Sequence, residues 1–116
     1  MFPTPSMILK KFQDAVRGIS VTSKEELSFK MELFAGIILV GFIYIMWPLE
    51  DYELMGLLIT YGLVLITELV NTSLEAALER IHPERHELIG RAKDIAAGSV
   101  VLAILLLAGV ITLIIF

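Results

Sequence analysis

The chain has 116 residues, enough for one domain, and 57% of them are hydrophobic against roughly 45–50% in globular proteins. Charged residues make up 19% and the net charge is −4, which excludes the basic face that nucleic acid demands. With no cysteine and two histidines, disulfides, thiol catalysis, zinc-thiolate sites and multi-histidine metal cages are excluded too, which leaves a small integral membrane protein.

The first element, from Met7 to about Val21, mixes Ile8, Leu9, Phe12, Val16 and Ile19 with Lys10, Lys11, Asp14 and Arg17. Apolar spacings of three and four mark an amphipathic helix, suited to lie in the membrane interface. A soluble helix packed on a loop is the alternative. Thr22-Ser23 suits the cap of a short turn leading into Glu25 and Glu26.

The first span is expected over residues 28–48. Its core, Leu33 to Pro48, carries no charge, and Ser28 and Phe29 extend it past Lys30 and Glu32. A signal peptide is the rival reading, but no small-residue cleavage site follows; Trp47-Pro48-Leu49-Glu50 stands there instead. The second span begins at Leu54 and, with no proline or glycine to stop it after Glu68, runs to Ile81 as one helix of roughly 42 Å. It should cross the bilayer and project into water. The third, over residues 92–116, includes a charge-free stretch from Ile95 to Phe116, longer than the roughly 20 residues that about 30 Å of hydrocarbon requires. All nine Lys and Arg precede the first span or lie between the second and third. By the positive-inside tendency the N-terminus is cytoplasmic and Phe116 outside, with Trp47 and Tyr52 at the outer interface.

The second span carries a polar stripe. At about 100° per residue, with Glu68 at zero, Asn71 falls near 300°, Glu75 near 340° and Glu79 near 20°. Glu79 fits an ordinary solvated helix end. Glu68, Asn71 and Glu75 do not, because Glu68 sits only about 21 Å from Leu54 along the axis. A charge at membrane depth costs about 2.5–3.5 kcal/mol on insertion scales. Carboxylate and carbonyl oxygens are hard ligands suited to Mg²⁺, which completes its shell with waters and phosphates. The stripe by itself fits either a cation path or a phosphoryl-transfer centre.

The third span opens with Arg91-Ala92-Lys93-Asp94, where free backbone N–H groups, the positive dipole end and two cations favour an anionic phosphate. A positive-inside anchor is the plainer account of Arg91. His82 reads as a loop residue; His86 reads equally as a loop residue or a ligand contact. Ala96, Ala97, Gly98, Ser99 and Ala103 read as small residues for close helix packing, with Ser99 bonding across helices. A bundle this thin shields its polar stripe better with a neighbouring subunit, which points to a homo-oligomer.

The stretch from Glu68 to Asp94 (ELVNTSLEAALERIHPERHELIGRAKD) contains E-x-x-N-[ST]-x-x-E followed by H-E-L-x-G-R-A-K-D. It closely resembles the bacterial integral-membrane diacylglycerol kinase family, which includes the undecaprenol kinases. Glu26 with Phe29 and Lys30 is similar to that family's E-x-x-F-[RK] segment. The resemblance implies an all-α membrane protein: three transmembrane helices behind an amphipathic interfacial helix, in a homotrimeric bundle in the bacterial inner membrane. It implies a lipid kinase using MgATP, in keeping with the lack of G-x-x-x-x-G-K-[ST] and of the protein-kinase motifs.

Carried over on that resemblance, Glu68 is the base that takes the lipid hydroxyl proton, and Glu26 and Glu75 hold Mg²⁺ on the ATP phosphates. Lys93 lies at the phosphates, Asp94 and Glu84-Arg85-His86 belong to the nucleotide site, and Asn71 supports the centre. Phe29, Glu32, Glu68 and Ala97 contact the lipid. The amphipathic helix departs from enterobacterial-type diacylglycerol kinases by lacking their tryptophan and early arginine, and Glu79 replaces the usual aspartate. Its Phe12-x-x-Ala15-x-x-Gly18-Ile19 pattern is more similar to undecaprenol kinases, whereas HELIGRAKD is more similar to diacylglycerol kinases. The expected reaction is phosphorylation of diacylglycerol to phosphatidic acid, with undecaprenol as alternative acceptor. The reading from another class is a small non-enzymatic cation channel or assembly subunit.

Overall fold

The computed structural model describes residues 2–81 and 86–116. Its described residues form four helices: α1 (Pro5–Glu25), α2 (Leu27–Met46), α3 (Asp51–Ile81) and α4 (Glu87–Ile115). His82, Glu84 and Arg85 lie outside the described residues.

In α1, Thr4 Oγ1 accepts from the Met7 N–H at 3.3 Å and Pro5 occupies the first turn, where its missing donor costs nothing. Thr22 and Ser23 do not cap a turn. Their hydroxyls donate back to the carbonyls of Gly18 and Ile19, at 2.8 and 2.7 Å, so α1 runs on to Glu25. The chain bends at Glu26, in extended conformation, and α2 follows at once. No residue of α1 is buried, and Ile8, Leu9, Phe12, Val16 and Ile19 share an exposed apolar side.

Helices α2, α3 and α4, of 20, 31 and 29 residues, are long and apolar enough to cross a membrane. This is a multi-pass membrane protein. α3 starts at Asp51, three residues before the apolar run. The Glu50 N–H donates to Glu53 Oε1 at 2.9 Å, and two acids in the first turn face the positive end of the helix dipole. Its 31 residues span about 46 Å, more than a bilayer's hydrocarbon.

α4 starts at Glu87, about one and a half turns earlier than the Arg91-Ala92 junction suggested. The His86 ring caps it, Nδ1 accepting from the Leu88 N–H at 3.1 Å. Lys93 and Asp94 therefore sit in the second turn, beyond the free N–H groups of the helix start.

α3 packs chiefly along α4 and more lightly on α2. Leu57 and Val64 of α3, Val100 and Ala103 of α4, and Phe29 and Leu39 of α2 form the buried interior. The small Ala103 is buried as expected for close helix approach, and a Cβ at Gly56 would meet Val110 Cγ1 at 3.3 Å. Ala97, Gly98 and Ser99 are exposed, and Ser99 Oγ donates to its own helix at the Ala96 carbonyl, 2.6 Å away, instead of bonding across helices. Large apolar side chains such as Leu58, Ile59, Leu102 and Leu105 face outward, as a protein solvated by hydrocarbon requires.

Candidate active site

A cleft of about 460 Å³ lies where α2, α3 and α4 meet. Val64, Val100, Ile104 and Leu107 give it an apolar wall, and Glu32, Tyr61 and Glu68 give it polar groups. Glu68 is 6% exposed, and its carboxyl shares the cleft with that of Glu32. One oxygen of Glu32, Oε2, is buried with no hydrogen-bond partner in the protein. An oxygen left this way is costly unless a donor arrives, and a hydroxyl is a donor of suitable size.

From Glu68 the stripe continues along α3 as the helical period requires. Asn71 is buried; its Nδ2 donates to Glu75 Oε1 at 3.4 Å, while its Oδ1 is buried without a partner. Glu75 is half-buried, and the exposed Glu79 accepts a hydrogen bond from Lys93 Nζ at 3.4 Å. Glu26, at the α1–α2 junction, is exposed. Glu68 and Asn71 are thus already shielded within one chain. Glu75 and Glu26 face more solvent, and it is there that a neighbouring subunit would add shielding.

The described residues contain no group of three or more acidic or histidine side chains poised to hold a metal ion. Glu75, hydrogen-bonded to Asn71 whose amide oxygen is unpartnered, matches Mg²⁺, which takes one or two protein carboxylates and completes its shell with phosphate and water. Glu26, Glu75 and Asn71 have the required hard oxygen donors.

Placement of the other expected residues is mixed. Phe29 is 2% exposed, so in this arrangement it packs in the interior and offers no surface to a lipid. Ala97 is exposed on α4 but does not line the cleft, whose α4 wall begins at Val100. His86 and Asp94 line a second, polar depression of about 510 Å³ with Glu87, Gly90 and Arg91. Lys93 is drawn instead to the stripe. Tyr61, Val64 and Ser28 line the cleft but stood outside the sequence-derived set. For Tyr61 one signal was present: it precedes Glu68 by seven residues, which returns within about 20° of the same helix face.

The profile of the family described as prokaryotic diacylglycerol kinase matches residues 13–116. The chain belongs to the prokaryotic diacylglycerol kinase family. It is 35% identical over 99 residues to the diacylglycerol kinase of Escherichia coli strain K12, covering 84% of this chain and 80% of that one. With the diacylglycerol kinase of Haemophilus influenzae it shares 33% identity over 90 residues, 78% of this chain and 75% of that one. An undecaprenol kinase of Bacillus subtilis is 33% identical over 93 residues, 78% of this chain and 73% of the relative. Membership supports a lipid kinase in a multi-pass membrane protein.

Proposed function

We propose that the chain is an ATP-dependent diacylglycerol kinase that transfers the γ-phosphoryl group to the lipid hydroxyl, giving phosphatidic acid. The observation that carries this reading is Glu68, buried beside Glu32 at a cleft with an apolar wall and continuous along α3 with the acids that end at Lys93. Fatty chains fit the apolar wall and their hydroxyl meets the carboxyls. Nucleotide phosphates approach from the end of the stripe that bears the lysine.

In the reaction the acceptor oxygen attacks the γ-phosphorus, the bond to the β–γ bridging oxygen breaks, and ADP leaves. Glu68 takes the hydroxyl proton. Lys93 neutralises phosphate charge, its exchange from Glu79 to phosphate costing little because the pair is solvent-exposed. Asn71 orients Glu75 through its side-chain amide. Glu26 and Glu75 would hold Mg²⁺, which supplies charge neutralisation on the transferring group. Asp94 and His86 border the nucleotide; Glu84 and Arg85, given to the same site by the resemblance, lie outside the described residues. Such positioning and electrostatic stabilisation account for most of phosphoryl-transfer catalysis.

The assembled enzyme is a homotrimer of the bacterial inner membrane. The cytoplasmic N-terminus and external C-terminus follow the lysine and arginine distribution, and α1 lies at the cytoplasmic interface on its exposed apolar side. Undecaprenol is the second acceptor to consider, supported by the Bacillus subtilis relative and the Phe12-to-Ile19 pattern. The test is purified protein in mixed micelles, given labelled ATP and each lipid alcohol in turn. Transfer to diacylglycerol is expected to exceed transfer to undecaprenol. The opposite ranking would replace the substrate, and transfer to neither would remove the kinase reading.

A further inference from the structure

Among the described residues, one side-chain hydrogen bond ties α2 to α3: Tyr61 Oη donates to the backbone carbonyl of Glu32 at 2.8 Å. A carbonyl oxygen has two lone pairs, so it accepts the phenol while keeping its place in the α2 ladder. The phenol also lies against Gly36, where an added Cβ would overlap the Tyr61 hydroxyl and its ring carbon. Glycine there permits the approach, as small residues do at membrane helix contacts. Glu32 Oε2 has no protein partner of its own, so no hydrogen bond at that oxygen locates the carboxyl. What is held is the Glu32 backbone, and Tyr61 holds it.

We propose that Tyr61 is a positioning residue, a strut that fixes α2 against α3 at Glu32 and Gly36 and so keeps the Glu32 carboxyl beside Glu68 in the acceptor cleft. The proposal rests on the lipid-kinase reading given above. Removing the phenol hydroxyl lets α2 shift at this level, and the acceptor alcohol meets Glu68 in poorer alignment. Nucleotide binding is spared, because Glu75 lies fourteen residues from Tyr61, about 21 Å along the helix.

The test compares Tyr61→Phe, Gly36→Ala and the double variant with the parent protein in mixed micelles, measuring kcat and KM for dioleoylglycerol and for MgATP. Each single change is expected to lower kcat roughly 3- to 10-fold, with KM for MgATP changed less than about twofold. The double variant is expected to be no slower than the worse single one, since both act on one contact. Parent-like turnover in Tyr61→Phe, a loss confined to KM for MgATP, or additive losses in the double variant would overturn the strut.

Failure of the underlying reading shows differently, as no phosphoryl transfer by the parent to any lipid alcohol. The strut is then read without activity. The chain has no cysteine, so spin labels go on Phe34→Cys in α2 and Ile66→Cys in α3, both exposed positions. Tyr61→Phe should widen or broaden the distance distribution between them, and an unchanged distribution overturns the proposal.

Discussion

Lys93 Nζ lies 3.4 Å from Glu79 Oε1, joining the second turn of α4 to the last acid of the α3 stripe. The pair is exposed enough that it contributes little stability. Glu79→Gln should therefore leave the unfolding midpoint in detergent nearly unchanged, and the freed lysine should serve ATP at least as well as before. Lys93→Met, by contrast, should raise KM for MgATP about tenfold, since a charge-assisted contact to phosphate is lost. Steady-state kinetics on the two variants separate the roles; an equal loss in both would assign the effect to the ion pair itself.

Glu68→Gln keeps the shape of the side chain and removes its basicity. Turnover should fall by about 10²–10⁴, the range of general base catalysis, with helicity and oligomer size unchanged. Circular dichroism and size-exclusion chromatography in detergent check the second half of that statement.

Asn71 and Glu75 act as a unit through their 3.4 Å contact. Glu75→Gln should shift the Mg²⁺ dependence of the reaction to higher concentration, roughly tenfold, and Asn71→Ala should shift it in the same direction by less. A Mg²⁺ titration at fixed ATP measures both.

Ala103 is 4% exposed where α4 meets the interior. Ala103→Leu forces extra volume into that contact and should cost about 1–3 kcal/mol, read as a lower unfolding midpoint in a denaturing detergent titration. A leucine at the exposed Ala97 should cost far less.

The stripe was legible because one helix's period decides it: Glu68, Asn71, Glu75 and Glu79 share a face wherever α3 goes. The three spans were legible from charge-free length. What the chain conceals is local competition and contact between helices. Thr22 and Ser23 have the chemistry of caps, yet inside a helix their hydroxyls bond the preceding turn, and α1 simply continues. Hydropathy placed the start of α4 near its apolar run, whereas the His86 ring set it at Glu87. Tyr61 and Gly36 meet across 25 positions of sequence, and nothing in either residue's neighbourhood names the other. Phe29 shows the same gap: a motif position says which residue matters but not whether it faces inward.

α3 carries Glu68 and the lysine-facing Glu79 on one uninterrupted backbone. Their spacing is inherited from helical pitch and needs no lid or hinge to set it. An insertion of one residue between Glu68 and Asn71 would rotate every acid beyond it by about 100°, separating the two halves of the row by orientation while leaving composition and hydropathy untouched.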